Sequence, residues 1–250
     1  MPTLQEVIHH FDPISLAEMD RVELLDRMDT KYVFGSVQLP ELLATLRPEY
    51  RILEVEGRRG TDYRSLYFDT AELRHYHEHH NGHAFRSKVR YREYVGSGLA
   101  FLEVKRKTGR GGTNKKRIRV DGIPMVMTPE QRSFVTKAST CAEPLLPQLW
   151  NHFTRITLVH RSRNERLTID HDLRFSRVDG ERSLEGICVA ELKEARADRS
   201  SPFAHLMRQL GVRPAGMSKY CIGLLLLRPD VKRNAFKPIL LQLERIRNAA

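Results

Sequence analysis

The chain has 250 residues, with 42 Lys and Arg against 31 Asp and Glu, a formal net charge of +11. That length carries one large domain with a real core, and the excess of cations points to a polyanionic partner: nucleic acid, a phosphorylated metabolite or an anionic membrane. Three scattered cysteines, Cys141, Cys188 and Cys221, exclude a disulfide scaffold and a Cys-x-x-Cys metal site, and suit small buried hydrophobes in a reducing compartment.

No basic start followed by an apolar run marks a signal peptide. The longest apolar run, 221–227, falls well short of the ~18–20 residues a spanning helix needs. A soluble cytoplasmic protein without a transmembrane segment is the expectation.

In chain order, Ser15 with Glu18 three residues on reads as a capping box opening a short helix over 15–25. Asp29–Phe34 (DTKYVF) alternates as a strand, with Arg27, Asp29 and Lys31 to one side and Tyr32 and Phe34 to the other. Leu39–Leu46 is a short helix opened by Pro40 and closed by Pro48. Tyr50–Glu56 and Tyr63–Asp69 read as two strands joined by a turn with Gly57 and Gly60. Residues 71–81 are polar and, with His83, contain His75, His77, His79 and His80; a solvated loop is a better reading than a metal cluster.

Phe85–Lys107 then reads as a hairpin turning at Gly96-Ser97-Gly98. Arg86, Lys88, Arg90 and Arg92 share one face of its first strand, and Glu103, Lys105 and Lys107 share one face of its second. Gly109–Thr113 lacks the Lys-Ser/Thr of a phosphate loop and is a connection. Lys115, Arg117 and Arg119 alternate against Ile118 and Val120 in a further strand. Thr128–Thr140 is helical, with Pro129 in its first turn, and Glu143–Trp150 reads as a second helical piece. Arg155–Arg163 and Arg166–Phe175 form a hairpin about Asn164-Glu165, with Arg155 and Arg161 pointing one way and Arg166, Thr168, Asp170 and Asp172 sharing a face. Residues 188–195 put Glu191 and Lys193 opposite Ala190 and Leu192. Pro202–Leu210 is an amphipathic helix ended by Gly211, Ser218 and Lys219 open an apolar segment, and the basic tail 232–247 ends in a helix. With no internal repeat and no long linker, the chain reads as a single α+β domain.

Cations at i, i+2 spacing repel one another unless an anion lies against them. A single such strand is well explained as the wet face of an open sheet. Repetition over several strands favours another arrangement, in which the strands curl into a barrel and their polar faces converge on one lumen. Cations gathered there need an anionic occupant. A polyphosphate chain fits, because its oxygens accept the forked hydrogen bonds of Arg, and the sparse carboxylates suit Mg2+ or Mn2+. Nucleic acid is disfavoured because Phe and Tyr mostly fall opposite the charges, away from where bases would stack.

With these residues in place, the chain resembles the VTC domain family, the polyphosphate-polymerase domain of the vacuolar transporter chaperone complex, within the triphosphate tunnel metalloenzymes. The resemblance runs over about 26–227. It is carried by DTKY at 29–32, SLYFDT at 65–70, KVRYRE at 88–93, FLEVKRK at 101–107, KKR at 115–117, R-x4-R-L-T-I-D at 161–170, ELK at 191–193 and SKY at 218–220. It implies an eight-stranded antiparallel β tunnel, with short helices packed outside and a triphosphate or polyphosphate within. It also implies catalytic roles for Arg90, Arg92, Lys105, Arg161, Arg166 and Glu191, and phosphate contacts from Lys31, Lys88, Lys115, Arg117, Lys193, Ser218 and Lys219. Glu191 is the implied metal ligand, with Glu103 a second candidate, and Mn2+ or Mg2+ the implied ion. Related tunnel hydrolases and cyclases begin with Glu-x-Glu-x-Lys where this chain has Arg27, Asp29 and Lys31. Fewer carboxylates disfavour hydrolysis by two metals and favour a polymerase that takes ATP and inorganic polyphosphate. A tri- or polyphosphatase and a non-catalytic polyanion-binding module are the alternatives.

Overall fold

A computed structural model describes residues 2–20, 28–109, 112–139, 141–195 and 200–249. Its strands are β1 (Pro13–Ile14), β2 (Met28–Gly35), β3 (Tyr50–Leu53), β4 (Thr61–Asp69), β5 (Arg86–Tyr94), β6 (Leu99–Lys107), β7 (Thr113–Val120), β8 (Leu146–His160), β9 (Glu165–Arg177), β10 (Gly180–Ser183) and β11 (Ile187–Glu194). The helices are α1 (Leu4–His9), α2 (Leu16–Asp20), α3 (Leu39–Leu46), α4 (Arg74–His80), α5 (Pro129–Ser139), α6 (Pro202–Gln209), α7 (Lys219–Leu227) and α8 (Lys237–Asn248). Arg27 and the end of the helix expected over 15–25 lie outside the described residues.

Local chemistry sets many of these boundaries. Ser15 and Glu18 cap α2 reciprocally, Glu18 Oε2 accepting from Ser15 N at 2.9 Å and Ser15 Oγ from Glu18 N at 3.2 Å. Leu39, Leu42, Leu43 and Leu46 form the buried stripe of α3. The β5–β6 hairpin pairs Arg86 with Lys107 through to Tyr94 with Leu99, and its turn uses Gly96 and Gly98 at φ of 84° and 64°, where a Cβ is strained.

Eight strands form one antiparallel path, β2-β11-β9-β8-β4-β5-β6-β7. Among the described residues no ladder joins β2 to β7, so the sheet curls without closing. The curl shows in contacts that span it: Ala215 N donates to Lys31 O on β2 at 2.8 Å, and, three residues on, Ser218 Oγ accepts from Lys88 Nζ on β5 at 2.8 Å. The two flanks of the sheet therefore face one another across a hollow, as a tunnel requires.

Outside the curl, Phe34, Leu158, Leu167, Ile169 and Leu192 pack with α1, α3 and α6, while Leu66, Val89, Leu102 and Val104 pack with Val135 and Ala138 of α5. One end of the inside is also apolar, because α7 enters it. There Tyr220, Cys221 and Leu224 meet Leu149, Phe175 and Val189. Gly223 allows the approach: a Cβ at that position would lie 2.3 Å from the Phe175 ring. The rest of the inside is charged.

Four expectations change. Residues 143–150 are not helical: β8 begins at Leu146, and Leu149, Asn151 and Phe153 are buried alternately, a period of two masked by Pro147 and neighbouring polar residues. The His-rich segment holds helix α4, because the buried Asp69 carboxylate accepts from the backbone N–H groups of Thr70, His75 and Tyr76 at 2.8–2.9 Å. Strands β3 and β4 do not pair with each other; both pair with β8, β3 at Leu158–His160 and β4 at Leu146–Arg155. Asp172 leaves the face of Thr168 and Asp170, because the β8–β9 register shifts between His152 and Thr154 and Asp172 takes φ of 53°.

Candidate functional site

The register of β5, β6 and β7 aligns cations across the inner face. Arg90 lies opposite Glu103 and Glu103 opposite Arg117, while Lys88, Lys105 and Lys115 form the next row. Glu103 is 2% exposed. It accepts from Arg90 Nε at 2.9 Å and Nη2 at 2.7 Å and pairs with Lys115 Nζ on its other oxygen. Burial alone would raise its pKa, but Arg90, Arg92 and Lys115 outweigh burial and hold the carboxyl well below the usual range. Bound to Arg90 through one oxygen and paired with Lys115 through the other, Glu103 ties the basic rows together.

Arg90 also donates from Nη1 to Tyr67 Oη at 3.0 Å. Arg92, buried, lies over the rings of Tyr63 and Phe153 at 5.1 and 5.9 Å, and burial pushes its pKa down.

A second buried carboxylate, Asp170, occupies the opposite wall. Arg155 grips it with Nε at 2.5 Å and Nη2 at 2.8 Å, and Lys219 Nζ donates to the same group. Lys219 is the first residue of α7. Its N-cap, Ser218, accepts from Cys221 N at 3.3 Å and from Lys88 Nζ at 2.8 Å. The N-terminus of α7 thus sits between β5 and β9, adding a helix dipole to the side-chain cations. Arg155 and Asp170 belong to the cluster although neither was a candidate. The alternation had put Arg155 and Asp170 on strand faces, but only the β8–β9 register sets them opposite one another.

Glu191 stands between Lys31 and Thr168 in the register, with Lys193 and Arg166 in the next row. Burial would raise its pKa, yet Lys193, Lys31, Arg155 and Lys105 bring it to about 2. Its ion-pair contact to Lys193 Nζ is long, 3.8 Å. An ionised carboxylate held this loosely fits Mg2+ or Mn2+, ions that take one or two protein carboxylates and complete their oxygen shell with water and substrate phosphate. Among the described residues no three His, Cys, Asp or Glu side chains form a metal-holding group.

Lys105 and Lys115 remain exposed although charges ring them, as expected of a wet lumen. Arg117, also exposed, lies 4.7 Å above the Phe101 ring. Arg166 shares the inner face and donates to Met19 O at 3.1 Å. Arg161 does not join the cluster: it sits in the β8–β9 turn, donating to Pro48 O at 2.9 Å and Asp12 Oδ2 at 2.6 Å on the outside. The structure therefore gathers Lys31, Lys88, Arg90, Arg92, Lys105, Lys115, Arg117, Arg166, Lys193 and Lys219 on one concave surface, where cations well outnumber carboxylates. It also corrects the expectation about rings, because Tyr63, Tyr94, Phe101 and Phe153 lie on this same face.

A family model described as the VTC domain matches residues 26–228. Among solved structures, a putative adenylate cyclase from Bacillus halodurans superposes with a TM-score of 0.51 at 12% identity, covering 78% of this chain and 96% of its own. A putative adenylyl cyclase from Hippeastrum, described as having a dominant triphosphatase activity, gives a TM-score of 0.48 at 16% identity, covering 79% and 94%. Among curated proteins none matches the chain significantly. Among the described residues no helix is long and apolar enough to cross a membrane.

Proposed function

The chain belongs to the VTC domain family, and on that premise we propose that it is a phosphotransferase that extends inorganic polyphosphate from ATP inside the basic lumen. The observation that carries this reading is the convergence of Arg90, Arg92, Lys105, Arg155 and Lys219 on one hollow, whose most loosely held carboxylate with a resolved pairing is Glu191.

Phosphoryl transfer asks the protein for position and charge more than for covalent chemistry. A terminal oxygen of the polyphosphate chain attacks the γ-phosphorus of ATP. The bond from that phosphorus to the β,γ-bridging oxygen breaks, and its electron pair leaves with ADP. Arg90 and Lys105 on one wall, with Arg155 and Lys219 on the other, bind the phosphate oxygens and offset the charge on the moving group. The N-cap of α7 fixes Lys219 and, through Ser218, Lys88. Glu191 would hold the divalent ion, Mn2+ or Mg2+, which when bound would neutralise phosphate charge. Three free, buried cysteines support a cytoplasmic setting.

Incubation with ATP and Mn2+ followed by gel electrophoresis should give a polyphosphate ladder, lost in Glu191→Ala. Phosphate release from tripolyphosphate without nucleotide, and no ladder, would replace this reading with a hydrolase. Tight binding of polyphosphate without turnover in either metal would leave a binding module.

A further inference from the structure

The basic face carries a row of rings that inorganic phosphate does not explain. Phe153, Tyr63, Tyr94 and Phe101 run across β8, β4, β5 and β6. Tyr63 and Phe153 stack in parallel with centroids 5.1 Å apart, Tyr94 lies 4.9 Å from Tyr63, and Phe101 lies 6.1 Å from Tyr94. The row divides in two. Phe153 and Tyr63 are 3% and 9% exposed and already serve as platforms for the guanidinium groups of Arg92 and Arg155, 5.1–5.9 Å away. Tyr94 and Phe101 are only half-buried and stand at the rim, beside the turn that joins β5 to β6. Arg117 covers Phe101 there with an exposed guanidinium.

A phosphate chain presents only anionic oxygens, which the negative face of an aromatic ring repels. Half-open rings flanking a phosphate-binding lumen therefore suit a second, uncharged and flat part of the substrate. We propose that Tyr94, Phe101 and Arg117 form a stacking shelf for a nucleobase, so that a nucleoside triphosphate binds with its base at this rim and its phosphates directed inward. This deepens the phosphotransferase reading and rests on it. The dimensions agree: from Phe101 to Lys105 is four residues of extended strand, about 13 Å, with Arg90 and Glu103 in register between them. Stacking on a ring and a guanidinium is tolerant of base identity, so the shelf recognises a nucleotide as a class, with little preference among bases.

The test compares the β,γ-imido analogue of ATP with inorganic tripolyphosphate, by calorimetric titration of the full chain. Phe101→Leu combined with Tyr94→Leu should weaken the analogue roughly tenfold or more and leave tripolyphosphate within about twofold of its original affinity, since no phosphate contact is removed. Phe101→Trp keeps a ring, should retain both affinities, and supplies a fluorophore at the rim, to be quenched by the analogue and not by tripolyphosphate. This second variant decides the matter if the double one does not fold. Equal losses for both ligands, no loss for either, or quenching by tripolyphosphate would overturn the shelf while leaving the phosphate site standing. Tighter binding of a 5′-triphosphorylated oligoribonucleotide than of the analogue would also overturn it. Failure of wild-type protein to bind either ligand would bring down the phosphotransferase reading, and the shelf with it.

Discussion

The two faces of strand β6 show how differently one ribbon is used. Leu102 and Val104 point outward and are 0% and 1% exposed, packed dry against α5. Glu103 and Lys105, one residue away, point inward, the first locked between cations and the second open to solvent. The outer face stabilises the fold by burying hydrocarbon. The inner face holds charges that repel one another and is stabilised where carboxylates such as Glu103, Asp170 and Glu191 intervene. The fold therefore carries an electrostatic strain whose natural relief is a bound polyanion, and this separates the effects of mutations on the two faces.

The largest effect should follow loss of Asp170. Asp170→Ala strands Arg155 and Lys219 without their shared carboxylate, and should destabilise the protein by about 3–5 kcal/mol. Because an anion can take the place of the missing carboxylate, tripolyphosphate should restore more stability to this variant than to wild type in urea unfolding. Equal stabilisation of both would break the contrast between the faces.

Next in size is Arg90→Ala. Glu103 keeps Lys115 as a partner, so the variant should fold with wild-type circular dichroism. Turnover should nevertheless fall roughly 100- to 1000-fold, as for loss of a charge-stabilising donor at a reaction centre. Leu102→Ala should do the reverse. A buried Leu truncated to Ala costs about 3 kcal/mol, seen as a lower urea midpoint, with turnover per folded molecule unchanged and no extra rescue by tripolyphosphate.

Much of this contrast was legible in the sequence because alternation reports faces directly. Lys88, Arg90 and Arg92 against Val89 and Tyr91 already show which side is dry. The N-cap of α2 was legible for a similar reason, since Ser15 with Glu18 three residues on has a local hydrogen-bonding task. What escaped depends on long-range register. Arg161 and Arg155 both look inward on a straight strand, but β8 ends at His160, and that single fact sends Arg161 out to Asp12. Asp172 was misplaced by a bulge, which nothing in its own residue type announces. Helix α4 is created by Asp69, a carboxylate on the preceding strand that collects the helix's first N–H groups. The rings on the inner face were missed because Phe101 precedes the charged residues of its strand, and Phe153 becomes their neighbour only after β8 pairs with β4.

The smallest predicted effect is a pH dependence, and it has opposite signs for the empty and the occupied protein. Burial, and then the neighbouring Lys31, Lys105 and Arg86, lower the Lys88 pKa to about 7 despite an opposing contribution from Cys221. Between that value and the ordinary lysine range the unfolded chain binds more protons than the folded one, so the ligand-free protein should gain stability as pH rises through this window. Anion binding should run the other way. Below about pH 7 Lys88 is already charged and binding needs no proton. Above it, a polyanion that favours charged Lys88 takes up one proton on binding, and affinity should fall by up to tenfold per pH unit. Titration of tripolyphosphate between pH 6 and 9 in two buffers of different ionisation enthalpy measures that proton directly. Lys88→Arg should abolish the uptake because guanidinium stays charged throughout; persistence of the uptake in that variant would assign the proton to another group and leave Lys88 a structural partner of Ser218.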